Sequence, residues 1–99
     1  MGWADRAIKE LQEGKTTTVK PHGNSMTGRV ESGSLVTLEP VKIPELKLND
    51  IVLCKVKGNQ YLHLVKSMQE DRVLIGNNRG GINGWTRNVY GRAIKIEKG

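Results

Sequence analysis

The chain has no phenylalanine, and two tryptophans and two tyrosines are its whole aromatic content. Its 99 residues make one domain, residues 1–99, whose core must be built from aliphatic side chains. Nine valines, seven isoleucines and nine leucines supply them, and the branched excess favours strands. A single cysteine, Cys54, excludes an intrachain disulfide, and Cys54, His22 and His63 lack the spacing of a zinc site. No metal and no cofactor is therefore expected, and a reducing, cytoplasmic compartment suits the chain. No run approaches the roughly 18 apolar residues that span a bilayer, and the N-terminus has no signal-peptide core. No membrane anchor is expected.

Charge is present in quantity but not in pattern. The net charge is +6 and the pI near 9.7, a balance that would aid binding to an anionic partner. Lysines and arginines are nevertheless spread from Arg6 to Lys98 with acids among them, as on a solvated surface. Beyond Trp3, Tyr61, Trp85 and Tyr90 no aromatic is available for base stacking, and one Arg79-Gly80-Gly81 is not a repeat. Nucleic-acid binding is expected to be weak, insensitive to sequence and steeply weakened by salt.

The pattern along the chain predicts a mainly β fold of strongly twisted antiparallel sheets with a short N-terminal helix. Residues 1–14 form the helical segment and residues 15–99 the β-domain. Trp3, Ala4, Ala7, Ile8 and Leu11 recur at three- and four-residue spacing up to Gly14, which predicts a helix over 2–13 docked by that stripe on its own domain. Residues 16–20 and 35–38 read as strands ended by Pro21 and by Glu39-Pro40. Residues 41–49 read as a connection. Residues 50–57 and 60–66 read as a hairpin joined by Gly58-Asn59, with Cys54 a buried small hydrophobe. Residues 72–75 continue the meander, 76–85 read as a glycine- and asparagine-rich loop, and 89–96 as a closing strand.

The candidate chemistry centres on Ser25. Gly23 and Gly28 bracket Asn24-Ser25-Met26, so the backbone can turn tightly and present the serine hydroxyl and nearby N–H groups. A serine hydroxyl needs a base within hydrogen-bond reach, and the chain offers His22, His63 and Lys66. His22, in the same turn, suits the cleft wall better than the role of base. His63 and Lys66 lie on one predicted strand at odd separation, so strict alternation points them to opposite sides and at most one faces Ser25.

The order Gly23-Asn24-Ser25-Met26, Leu35-Val36-Thr37-Leu38, Asp50-Ile51-Val52-Leu53, His63-Leu64-Val65 and Gly76-Asn77-Asn78 resembles the serine peptidases of the LexA-like repressor and signal peptidase superfamily over roughly residues 20–96. The resemblance implies Ser25 as nucleophile, His63 at the position of the general base with Lys66 as the alternative, and Asn24, Met26 and His22 at the oxyanion site or cleft. The membrane anchor of signal peptidases and the DNA-binding module of LexA-like repressors have no counterpart in the sequence, and no Ala-Gly self-cleavage site appears, so a free-standing domain acting in trans on an extended peptide or protein substrate is expected. Such a domain would suit a phage or prophage accessory protein with a host protein partner. Two positions depart from the family. Gly28 stands where proline is common, and the loop beginning at Gly76 lacks the family's aspartate, leaving Asn77 or Asn78 to orient His63. The competing readings are an inactive peptide- or protein-binding module of the same fold and a weak basic nucleic-acid binder.

Overall fold

A computed structural model describes residues 2–23 and 26–98. Its architecture follows from one strand, β3 (Ile51–Val56), in which every residue except Lys55 is buried. Such a continuous apolar run needs cover on both faces of its sheet. Ile51 and Leu53 point into one core and Val52, Cys54 and Val56 into another.

The first core is covered by helix α1 (Asp5–Gln12), which packs over β1 (Thr17–Val19), β2 (Leu35–Pro40) and β7 (Asn88–Glu97). Ala4, Ala7, Ile8 and Leu11 are buried there as the spacing predicts, whereas Trp3 is not. Gly14, at a φ of 84°, ends the helix in the left-handed region. Close docking depends on Gly91 of β7: a Cβ at that position would lie 2.8 Å from Leu11 Cδ1 and 2.9 Å from the Glu39 carbonyl oxygen.

Seven antiparallel strands form one sheet in the order β1-β2-β7-β3-β4-β5-β6, with β4 spanning Asn59–Met68, β5 Val73–Gly76 and β6 Ile82–Thr86. The closing strand β7 is thus central, between β2 and β3. Residues 41–49, with a short 3-10 turn at Ile43–Glu45, lay Val41 and Leu46 over the second core. Arg92 fastens this excursion by pairing with Glu39 at 2.9 Å and donating to the Glu45 carbonyl at 3.0 Å. At the far end the sheet curls until β6 reaches back to β3, where the Thr86 hydroxyl donates to the Lys55 carbonyl at 2.5 Å.

Two sequence expectations are corrected. The β3–β4 turn is Lys57-Gly58, at φ of 52° and 84°, and Asn59 is the first residue of β4 opposite Val56. Two residues at positive φ make the primed kind of turn that matches strand twist, so the junction sits one residue earlier than Gly58-Asn59. The glycine-rich stretch is likewise shorter as a loop: β5 runs through Gly76 and Ile82–Thr86 is a strand. The alternation of β6 is broken at Asn83, the unpaired residue of a bulge between Ile75↔Gly84 and Gly76↔Ile82.

The Gly91 contact gives the first test. Gly91→Ala should destabilise the protein by about 1–3 kcal/mol, the usual cost of overpacking, because one of the atoms it meets is backbone and cannot rotate away. Urea unfolding should show a lower midpoint at unchanged slope.

Candidate functional site

The site lies along an edge that β4 leaves open. Residues 59–64 of β4 pair with β3, but β5 pairs only from Leu64 onward. Among the described residues, Asn59–His63 therefore has a partner strand on one side only. Val65 donates to the Asp50 carbonyl at 3.0 Å and accepts from Asn49 N–H at 2.8 Å, which fixes the odd-numbered residues of β4 as those bonded toward β3. The backbone groups of Gln60 and Leu62 consequently turn outward. Both residues line a cleft of about 620 Å³, a size that suits a small ligand or a few residues of a peptide.

One wall of this cleft is the segment that carries the candidate serine. Gly23 and Met26 line it, with His22 on the exposed rim. The flanks are well fastened: Gly33 N–H donates to the Pro21 carbonyl at 2.8 Å, Gly23 N–H to Ser32 Oγ at 3.1 Å, and Val30 N–H to the Met26 carbonyl at 2.7 Å. Met26 and Val30 sink into the first core. Asn24 and Ser25 themselves lie outside the described residues, as does the expected approach of the Ser25 hydroxyl to His63.

The opposite wall holds His63, only 7% exposed and stacked on Tyr61 with ring centroids 4.9 Å apart. Its Nδ1 lies 2.7 Å from Asn83 Oδ1. With an amide oxygen facing it, Nδ1 carries the proton and Nε2 keeps the lone pair, the tautomer a general base needs. Burial pushes the imidazole below its ordinary pKa, and the Asn83 hydrogen bond opposes that shift. A ring held neutral is poised to accept a proton.

The asparagines expected to orient His63 do other work. Asn77 Oδ1 accepts from Arg79 N–H at 2.8 Å and Gly81 N–H at 2.9 Å, which shapes its own loop. Asn78 Nδ2 donates to the Thr27 carbonyl at 2.8 Å, tying that loop to the serine segment. The orienting residue is Asn83, aimed by the β6 bulge. The signal was the third asparagine of an Asn-rich stretch, but its direction depends on strand pairing that alternation does not encode.

Lys66 is the unpaired residue of a second bulge, between Val65↔Ile75 and Ser67↔Leu74. Strict alternation does not cross that point, since even-numbered Met68 packs against the same core as odd-numbered Val65. The Lys66 stem runs past Gly76, its Cε 3.0 Å from where a Cβ there would stand, and Lys66 does not line the cleft.

Away from the cleft, Arg72 lies over Trp85 at 5.2 Å, and Arg87 pairs with Asp71 at 2.9 Å. Burial pushes the Cys54 thiol up to about 12, as for an inert core cysteine. Among the described residues no group of three or more His, Cys, Asp or Glu is placed to hold a metal, and no helix is long and apolar enough to cross a membrane.

The His63 environment fixes a titration. By NMR its midpoint should lie below 6.5, fall further in Asn83→Ala, which removes the bond that opposes burial, and rise in Asn83→Asp. Because the folded value is the lower one, protons bind the unfolded chain first as pH drops below 6.5. Stability should therefore decline with falling pH from about 6.5 to the folded midpoint, and be constant above about 6.5 as far as His63 is concerned.

The sequence matches no protein-family model, and no curated protein matches it significantly. What the site does must be argued from its own residues.

Proposed function

We propose that the protein is a serine endopeptidase of the LexA and signal peptidase type, acting in trans on an extended peptide segment through Ser25 and His63. One observation carries the reading: Gly23 and Met26, which flank Asn24-Ser25, share a cleft with a neutral, oriented His63 beside an unpaired strand edge. Substrate would add to β4 as an extra strand, bonded by the outward backbone groups of Gln60 and Leu62.

In this mechanism the Ser25 Oγ attacks the scissile carbonyl carbon while His63 Nε2 takes the hydroxyl proton. The oxyanion is held in part by the Ser25 backbone N–H. Collapse of the tetrahedral adduct breaks the C–N bond, and His63 returns the proton to the leaving amine. Water then attacks the acyl ester with His63 again as base, the C–Oγ bond breaks, and the proton goes back to Oγ. Asn83 fixes the tautomer but, being neutral, stabilises the imidazolium less than an aspartate would.

That missing carboxylate favours a second reading, a peptide-binding module that keeps the cleft without turnover. A peptide-library cleavage assay separates the two. Ser25→Ala and His63→Ala should each lower kcat/KM by about a hundredfold or more, and Lys66→Ala should leave it unchanged. The pH profile of the wild type should have its acid limb below about 6.5, with Asn83→Asp moving that limb upward. Binding of the library without cleavage by the wild type would establish the module instead, and equal cleavage by all variants would mark a contaminating enzyme.

A further inference from the structure

The N-terminal helix reaches beyond its packing role. Ala4, Ala7, Ile8 and Leu11 are each 7% exposed or less, yet Trp3, on the same sequence stripe, is 53% exposed and lines the cleft. A large indole left in a groove rather than in the core is available for contact with a ligand. Its placement is built. Gln60, on the open edge of β4, accepts from Ala4 N–H at 2.9 Å through Oε1 and donates through Nε2 to Asp5 Oδ1 at 2.5 Å. The other Asp5 oxygen, Oδ2, accepts from Gly2 N–H at 2.9 Å. Helix α1 has no side-chain cap of its own at Ala4, so the strand edge that would bind a peptide also caps the helix that carries Trp3.

Register then locates what Trp3 meets. Gln60 and His63 are three residues apart on β4, and a strand advances about 3.4 Å per residue. A peptide paired along this edge with its scissile bond at His63 brings to Trp3 a side chain about 10 Å, or about three residues, away. The cleft lining carries one cation, Lys20, and one carboxylate, Glu31, which accepts from Gly28 N–H at 2.8 Å and keeps its charge, so apolar contact rather than charge selects the occupant.

We propose that Trp3 is a specificity-determining residue, the wall of a subsite for a large apolar side chain on an extended peptide, about three residues from the scissile bond. This rests on the peptide-cleft reading of the same site. The subsite exists only while Gln60 holds the helix terminus, so Gln60 is its positioning residue.

The test uses the full chain with Trp85→Phe, which leaves Trp3 as the only tryptophan. Short acetylated peptides of Ala, Ser and Thr, with Ala, Leu, Phe, Asp or Lys walked through one guest position, are titrated while Trp3 emission is followed, and cleavage is measured alongside. Leu or Phe at one guest position should shift Trp3 emission to shorter wavelength and bind about tenfold tighter than Ala there, within the range for one added apolar contact. Trp3→Ala, read by cleavage or by a labelled peptide, should abolish the preference through KM with kcat kept. Trp3→Phe should retain it, and Gln60→Ala should reproduce the loss. An apolar preference that survives Trp3→Ala, or a loss equal for every guest residue, overturns the inference while the peptide cleft stands. Failure of every peptide to bind the wild type overturns both. A single-stranded oligonucleotide that shifts Trp3 emission at physiological salt, where no peptide does, overturns them in favour of base stacking.

Discussion

A strand buried on both faces must be covered twice, and a short chain has little material for the second cover. Here α1 covers Ile51 and Leu53, and the sheet curls over Val52, Cys54 and Val56. To curl, β5 and β6 must leave the plane of the first strands. They do so where β5 pairs only from Leu64 onward. The open half of β4 is therefore a product of core formation, and the cleft occupies the space that the departing hairpin leaves. Edges of this kind invite pairing with another chain. Exposed Trp3 and His22 at its mouth, and the serine segment across it, restrict what can reach the backbone.

Bulges decide which polar groups meet in that space. On β4 Lys66 stands at a bulge with its stem beside Gly76, the partner of Leu64, and not in the cleft with His63. On β6 the bulge at Asn83 turns an amide toward His63. Both act by local interruption of the two-residue period. The resulting site contains one buried imidazole, one amide acceptor and an aromatic ring beneath, with no carboxylate between Arg72 and Ile96. The neutral ring is thus set by desolvation, with the hydrogen bond acting in the opposite direction.

Much of the fold was legible. The aliphatic runs at 50–57 and 60–66, the period of the N-terminal helix and the glycines around Ser25 are local signals, and β3, β4 and α1 stand where they point. Less legible were features that depend on a distant partner. Ile82–Thr86 lacks alternation because its bulge answers to β5, and so the strand reads as loop. The Lys57-Gly58 turn was displaced by one residue because Lys57 takes a positive φ that its type does not announce. Trp3 matches the helical stripe, and only the position of the β4 edge explains why it is not in the core. At the cleft, His63 stands on the strand where the sequence puts it, while Asn83 was hidden among three asparagines whose roles are assigned by pairing.

The loop between β5 and β6 touches both walls of the cleft: Asn78 grips the Thr27 carbonyl on one, and Asn83, just beyond, grips the His63 ring on the other. It works as a brace of fixed span. Asn77 holds its shape between those two amides, and one residue added or removed between 78 and 83 would release one grip or the other. A change of length in this brace therefore reaches both walls of the cleft at once.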